Sequence, residues 1–132
     1  MKRSNTQITG NVGMYYVCFK LSELGWNVMP TARNAKGIDI VAYREDGGFV
    51  GIQVKTLSKP NAIGIGKDRD VIPAEFWCIV VKQKDGSWAV FVMTRSEIRA
   101  KAHQDKKGNW WVEYAEFGRS EQYLEKWERI RV

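Results

Sequence analysis

Three residues in the stretch GIDIVAYREDGGFVGIQVKT, Gly37 to Thr56, carry side chains that chemistry can use together: Asp39, Gln53 and Lys55. A carboxylate and an amide oxygen are hard donors of the kind Mg²⁺ takes. An ammonium beside them can hold a nucleophilic water or offset charge developing on a phosphate. Whether the three meet depends on strand pairing. The stretch has the pattern of a β-hairpin, with apolar-rich GIDIVAYR, a turn at Glu45–Gly48, and then FVGIQVKT. Pairing Glu45 with Phe49, with Gly47 or Gly48 in the left-handed conformation, continues as Val41 with Gln53 and Asp39 with Lys55. Ile38, Ile40, Ala42, Val50, Ile52 and Val54 then share one face, and Asp39, Gln53 and Lys55 share the other. A slip of one residue mixes the faces. An ordinary solvent-facing hairpin carries the same residue types, so the pattern alone leaves both readings open.

The chain on either side supplies elements to hold this hairpin. A helix is expected from Thr9 to Leu24, closed by Gly25, after a polar, basic and mobile start over residues 1–7. Val12, Tyr15, Tyr16 and Phe19 line one face of it and Met14, Val17, Cys18 and Leu21 another, which predicts burial on most sides. Gly10 and Gly13 allow close approach to a sheet or a phosphate, simple close packing being the plainer reading. Trp26–Met29 reads as a short strand closed by Pro30, and the polar loop Thr31–Lys36 leads into the Asp39 strand. Ser58–Arg69 reads as a Gly- and Lys-containing loop; its GIGKDR lacks the spacing of a nucleotide-hydrolase phosphate loop. Pro73–Phe76 is expected to form a single turn before the buried strand Trp77–Lys82, which a turn at Lys84–Ser87 joins to Trp88–Met93. Thr94-Arg95-Ser96-Glu97 has capping-box spacing and starts a helix through Ala102. A turn at Asp105–Asn109, a strand over WWVEYAEF, a helix over Ser120–Trp127 and strand-like Arg129–Val132 complete the expectation. The architecture is α/β, with the first helix packed on a mixed, largely antiparallel central sheet.

Asp39 followed after a hairpin turn by Gln53-Val54-Lys55 resembles the PD-(D/E)XK nuclease superfamily, in a subgroup with Gln at the second acidic position. TGNVGMYYVCFKLSELGWNV is similar to the helix and first strand that precede the motif in resolvase-like and restriction-endonuclease-like members. The resemblance covers residues 8–57 and continues more weakly through FWCIVV, WAVFVMTRSEI and YLEKWERI. It implies a restriction-endonuclease-like core and a Mg²⁺-dependent DNA endonuclease, with Mn²⁺ as a substitute ion. In that reading Asp39, Gln53 and the Val54 carbonyl bind metal, and Lys55 positions the attacking water. Arg33, Asn34 and Lys36 before the motif, and Lys59, Lys67 and Arg69 after it, are the implied DNA contacts. Many relatives carry a glutamate on the first helix where Met14 stands in GMYYV, and a thioether is a poor Mg²⁺ ligand. With Gln53 in the other acidic position, Asp39 is the one carboxylate assignable to the site. That implies weakened catalysis, and gives as an alternative a non-cleaving nucleic-acid-binding module on the same fold. Such nucleases often pair as homodimers, although no surface in the sequence demands it.

Composition bounds the rest. A length of 132 residues fits one domain, residues 1–132, with 44% hydrophobic residues and three prolines, so disorder is not expected. No apolar run approaches the ~20 residues of a membrane span and no signal peptide is evident. Cys18 and Cys78 both lie in apolar runs, where buried free thiols fit a cytoplasmic location better than a disulfide does. One histidine, His103, argues against Ser-His and Cys-His hydrolases, and no Cys/His spacing suggests zinc. The net charge of +6 favours a polyanionic partner such as DNA, while leaving open a scaffold whose basic charge is incidental. Most of the six tryptophans sit in apolar runs and are expected in the core.

Overall fold

The computed structural model describes residues 2–32 and 37–132, with side chains from Thr6 onward. Arg33, Asn34 and Lys36, expected to contact DNA, therefore lie outside the described residues. Helix α1 spans Lys2–Glu23, so it starts well before the expected Thr9. It ends as expected. Gly25 takes φ +93°, letting the Trp26 N–H reach Leu21 O at 3.0 Å and the Gly25 N–H reach Ser22 O at 3.1 Å.

The main sheet uses β1 (Asn27–Pro30), β2 (Ile40–Arg44), β3 (Gly47–Leu57), β5 (Phe76–Lys82) and β6 (Trp88–Thr94), in the spatial order β1-β2-β3-β5-β6. Its neighbours are antiparallel except β3 and β5, which run parallel. A second sheet, in the order β4-β8-β7, is built from β4 (Ile63–Gly66), β7 (His103–Gln104) and β8 (Trp110–Val112). The Ser58–Arg69 segment is thus not a plain loop, since β4 pairs with β8 there.

The hairpin register differs from the expected one by two residues. Ile40 pairs with Ile52, Ala42 with Val50 and Tyr43 with Phe49, around a tighter turn at Glu45–Asp46. A slip of two keeps Ile40, Ala42, Val50 and Ile52 on one face, so the alternation survives within the paired strands while the partners change. Neither Gly47 nor Gly48 takes a positive φ. Gly48 serves close approach instead, because a Cβ there would run into Val132.

Apolar side chains pack on both sides of the sheet. On the α1 side, Val17 and Leu21 meet Ile40, Ala42, Val50 and Ile52. Val17 and Leu21 have no exposed surface, and each contributes about 1.5–3 kcal/mol to docking the helix. Gly13 lets α1 approach β3 until a methyl would overlap Thr56; Gly10 has nothing near it, so only one of the two glycines serves contact. On the far side, Trp77, Ile79, Val81 and Met93 pack with Ile98 of α2 (Arg95–Lys101) and Val112 of β8. Strand β5 therefore buries both its faces, as a central strand does.

Helix α2 opens on the expected capping box, with Thr94 Oγ1 accepting from Glu97 N at 3.2 Å and Glu97 Oε1 from Thr94 N at 2.8 Å. Four expectations fail. Pro73–Glu75 forms no turn and β5 already starts at Phe76; the strand in WWVEYAEF stops at Val112, giving way to a 3-10 turn at Tyr114–Glu116. Ser120–Trp127 is not a helix. It runs along the free edge of β6, where Val92 N–H bonds Tyr123 O and Glu125 N–H bonds Val90 O, and edge pairing outcompetes its helical composition. Arg129–Val132 is not a strand either, since a 3-10 turn at Trp127–Arg129 delivers Ile130 into the core beneath α1. Cys78 is buried and Cys18 half-buried, both as free thiols. Trp26 and Trp77 are buried, whereas Trp111 is the more exposed of its adjacent pair and bonds Asp105 Oδ2 at 2.9 Å. No helix among the described residues is long and apolar enough to cross a membrane.

Candidate active site

Asp39 is held by backbone on two sides. Its N–H donates to Ile52 O at 2.8 Å, and its carbonyl accepts from Thr31 N at 2.9 Å. The Thr31 hydroxyl donates to Ile38 O at 2.5 Å, so the residue just after β1 clamps the approach to Asp39. One turn earlier Gly37 takes φ +78° against the ring of Pro73. The Asp39 carboxylate then reaches across to β3, where Oδ2 accepts from Gln53 Nε2 at 2.9 Å and from Val54 N at 2.7 Å. An amide donating through Nε2 turns its oxygen away from the carboxylate, so Gln53 Oε1 is left to accept. In an extended strand a residue's N–H and C=O point to the same edge, which turns the Val54 carbonyl toward the Asp39 side of β3.

Lys55 lies two residues beyond Gln53 and shares its face. Its ammonium sits 5.8 Å from the ring centre of Trp77, the β5 residue paired with Gln53. Burial lowers the Lys55 pKa from its ordinary 10.5, and the negative charge of Asp39 acts against that shift. Trp77 is 4% exposed, and its indole N–H has no acceptor among the described residues. Over these groups opens a cavity of about 390 Å³, walled by Gln53, Lys55 and Trp77 on the main sheet, Gly64–Gly66 of β4, and Gly37 with Val71–Pro73. Asp39 stands beside the cavity, joined to it through Gln53.

Among solved structures, the chain matches the bacterial homing endonuclease I-Ssp6803I with a TM-score of 0.62 and 14% identity, over 93% of this chain and 90% of that one. It also matches Hjc, a Holliday junction resolvase from the archaeal hyperthermophile Archaeoglobus fulgidus, with a TM-score of 0.55 and 15% identity, over 83% and 87%. The fold is restriction-endonuclease-like. No protein-family model matches the sequence, and no curated protein matches it significantly. At these identities the likeness speaks to the fold alone.

Within this restriction-endonuclease-like frame the expected residues divide into groups. Asp39, just before β2, comes together with Gln53, Val54 and Lys55 of β3. Ile38, expected with the apolar face, instead covers Gly51 and packs with the core on the far side of the sheet from α1. Met14 is half-buried against the α1-side core, and the one acid on α1 is Glu23 at its last turn. Among the described residues, no three His, Cys, Asp or Glu side chains gather as a metal-binding group. Lys67 and Arg69 follow the β4 wall of the cavity. Lys67 Nζ donates to Lys107 O at 3.0 Å, and the Arg69 guanidinium stacks 4.9 Å from the centre of Trp110. Lys59 lies elsewhere, in a groove with Thr6, Thr9 and Asn61 at the end of β3. Thr31 and Trp77 went unnoticed in the sequence. A hydroxyl after a strand offered a weak signal for Thr31, and nothing local reveals that Trp77 pairs with Gln53 across a parallel crossover.

Proposed function

We propose that the chain is a metal-dependent DNA endonuclease whose site is Asp39, Gln53, the Val54 carbonyl and Lys55. The observation that carries this reading is the Asp39 carboxylate bonded to Gln53 and Val54 beside a half-buried lysine, on a fold shared with two nucleases. The donor chemistry fits Mg²⁺. Asp39 Oδ1 accepts no hydrogen bond from a described residue, Gln53 Oε1 and the Val54 carbonyl are hard oxygens, and Mg²⁺ takes one or two carboxylates plus waters and substrate phosphate. Bound there, Mg²⁺ or Mn²⁺ would supply an acidified water and offset phosphate charge.

The protein's own groups account for the rest. Asp39 orients Gln53 and Val54. Lys55 holds the attacking water or offsets charge on the phosphate, and the water's proton passes to solvent. The water oxygen bonds phosphorus as the bond to the leaving sugar oxygen breaks, and that oxygen takes a proton from solvent. Lys67, Arg69 and Lys59, with Arg33, Asn34 and Lys36, contribute backbone contacts to DNA, which fits the net charge of +6.

One observation favours a second reading, a non-cleaving DNA-binding module: α1 brings no carboxylate to Asp39, so the site rests on one acid. The discriminating experiment is a panel of supercoiled plasmid and branched DNA with Mg²⁺ or Mn²⁺, run beside Lys55→Ala. The nuclease reading expects metal-dependent cleavage that falls about 10²–10³-fold in the variant, with binding reduced by about one unit of salt slope. Salt-sensitive binding without cleavage selects the module. Cleavage unchanged in Lys55→Ala places the chemistry elsewhere.

A further inference from the structure

Helix α1 has two apolar faces, and only one meets the sheet. Val17 and Leu21 are buried, while Ile8, Val12, Tyr15 and Phe19 are 59%, 38%, 67% and 58% exposed. The sequence suggested burial on most sides, yet these four form a stripe diametrically opposite the core contact. Their spacing of 4, 3 and 4 residues is the seam spacing of paired helices. At roughly 150–250 Å² for a whole aromatic side chain, the stripe leaves on the order of 400 Å² of apolar surface in water. A contiguous patch of that size marks an interaction surface.

The stripe also has an internal symmetry. Ile8 and Phe19 lie equally far from its midpoint, as do Val12 and Tyr15. Turned antiparallel about that midpoint, a second α1 sets each β-branched side chain against an aromatic one. Parallel pairing would set aromatic on aromatic and leave gaps at the aliphatic positions. Antiparallel pairing also opposes the helix dipoles favourably. Of the exposed residues flanking the stripe, Gln7, Asn11 and Ser22 are uncharged, and Glu23 at its C-terminal end is paired with Lys20 of the same helix.

We propose that the chain forms a two-fold homodimer through α1, with Ile8 of each copy against Phe19 of the other and Val12 against Tyr15. The interface is isologous, as closed dimers require. It removes roughly 800 Å² of apolar surface plus its polar flanks, the low end for specific interfaces, so pairing in the micromolar range is expected. Because α1 lies on the sheet face opposite Gln53 and Lys55, both candidate sites stay uncovered.

The test is a charge exchange followed by analytical ultracentrifugation over a wide concentration range. Wild type should pass from monomer to dimer. Ile8→Glu and Phe19→Lys should each weaken association at least tenfold without altering circular dichroism, since both positions are exposed. The double variant Ile8→Glu/Phe19→Lys should regain association, because antiparallel pairing sets the introduced acid against the introduced base twice. A wild-type chain that remains monomeric at ~1 mM overturns the proposal, as does a dimer untouched by Phe19→Lys. Loss in both single variants without recovery in the double overturns the antiparallel arrangement.

Discussion

Replacing Asp39 tests whether one carboxylate organises the site. It accepts two hydrogen bonds through Oδ2, from Val54 N at 2.7 Å and Gln53 Nε2 at 2.9 Å. Bonds to a charged acceptor contribute about 1.5–3 kcal/mol each. The Gln53 amide is only half-buried and rehydrates when released, whereas the Val54 N–H lies in the strand and loses its partner. Asp39→Ala should therefore cost about 2–3 kcal/mol. Asp39→Asn retains an oxygen for Val54 and should cost about 1 kcal/mol. Urea denaturation reads both. The second readout is Lys55, whose lowered pKa is restrained by the Asp39 charge. Neutralising Asp39 removes that restraint, so Lys55 should titrate at still lower pH in Asp39→Asn, as followed by NMR of the lysine side chain. Cleavage, where present, should be lost in both variants. An Asp39→Ala protein as stable as wild type, or a Lys55 titration unmoved by Asp39→Asn, would refute the geometry on which the site rests.

Three further outcomes follow from the same contacts. Lys55→Met should raise stability at neutral pH by about 0.5–2 kcal/mol, because a half-buried ammonium is replaced by an apolar side chain of similar length. The folded pKa of Lys55 lies below its unfolded 10.5, so wild type gains stability as pH rises through that interval and the advantage of Lys55→Met shrinks; thermal melts across the alkaline range check it. Gly37→Ala should lose at least ~1 kcal/mol, since φ +78° strains any other residue and the methyl would press on Pro73; it should also reduce cleavage by displacing Asp39, seen as a changed Lys55 titration. Arg129→Met breaks the 2.6 Å ion pair with Glu97 and the 2.7 Å bond to Val92 O, and should cost about 2–3 kcal/mol in urea denaturation at pH 7. Burial pushes the Glu97 carboxyl up, but bonds from Arg129 and Thr94 outweigh it and hold the pKa below its ordinary 4.5. The pair's contribution is thus complete above pH 4.5 and disappears as pH falls through the folded value, where the gap between variant and wild type should narrow to the part owed to the Val92 bond.

What the sequence disclosed and what it hid divide along physical lines. Strand alternation is local, so the shared face of Gln53 and Lys55 was legible even though the register was two residues off, whereas Asp39 sits just before β2 and reaches them through Val54 N and Gln53 Nε2. The error came from assigning Gly47 and Gly48 to the turn, when Gly48 answers to Val132 from the far end of the chain. The capping box of α2 and the Gly25 helix end were likewise local and were read directly. Ser120–Trp127 was misread because its composition suits a helix, while its conformation is set by the open edge of β6. Burial of Tyr15 and Phe19 was misread for a related reason. Apolar residues around a helix state that each face needs a partner, and do not say that the partner belongs to the same chain.

The same division explains how the site and the exposed stripe coexist on one small sheet. Helix α1 covers one face of β3, leaving the opposite face to Gln53 and Lys55. There β4 stands off from the sheet, and that gap is the cavity. Trp77 forms its floor and withdraws water from Lys55 without supplying an acceptor to it. The ammonium is thereby destabilised unless Asp39 or an incoming anion offsets it, and a phosphodiester is such an anion. In the proposed nuclease reading, Lys55 is held at a cost to folding that phosphate binding would relieve. Strand β3 serves both ends at once: Thr56 receives Gly13 of α1 on one face while its neighbour Lys55 turns to the cavity on the other.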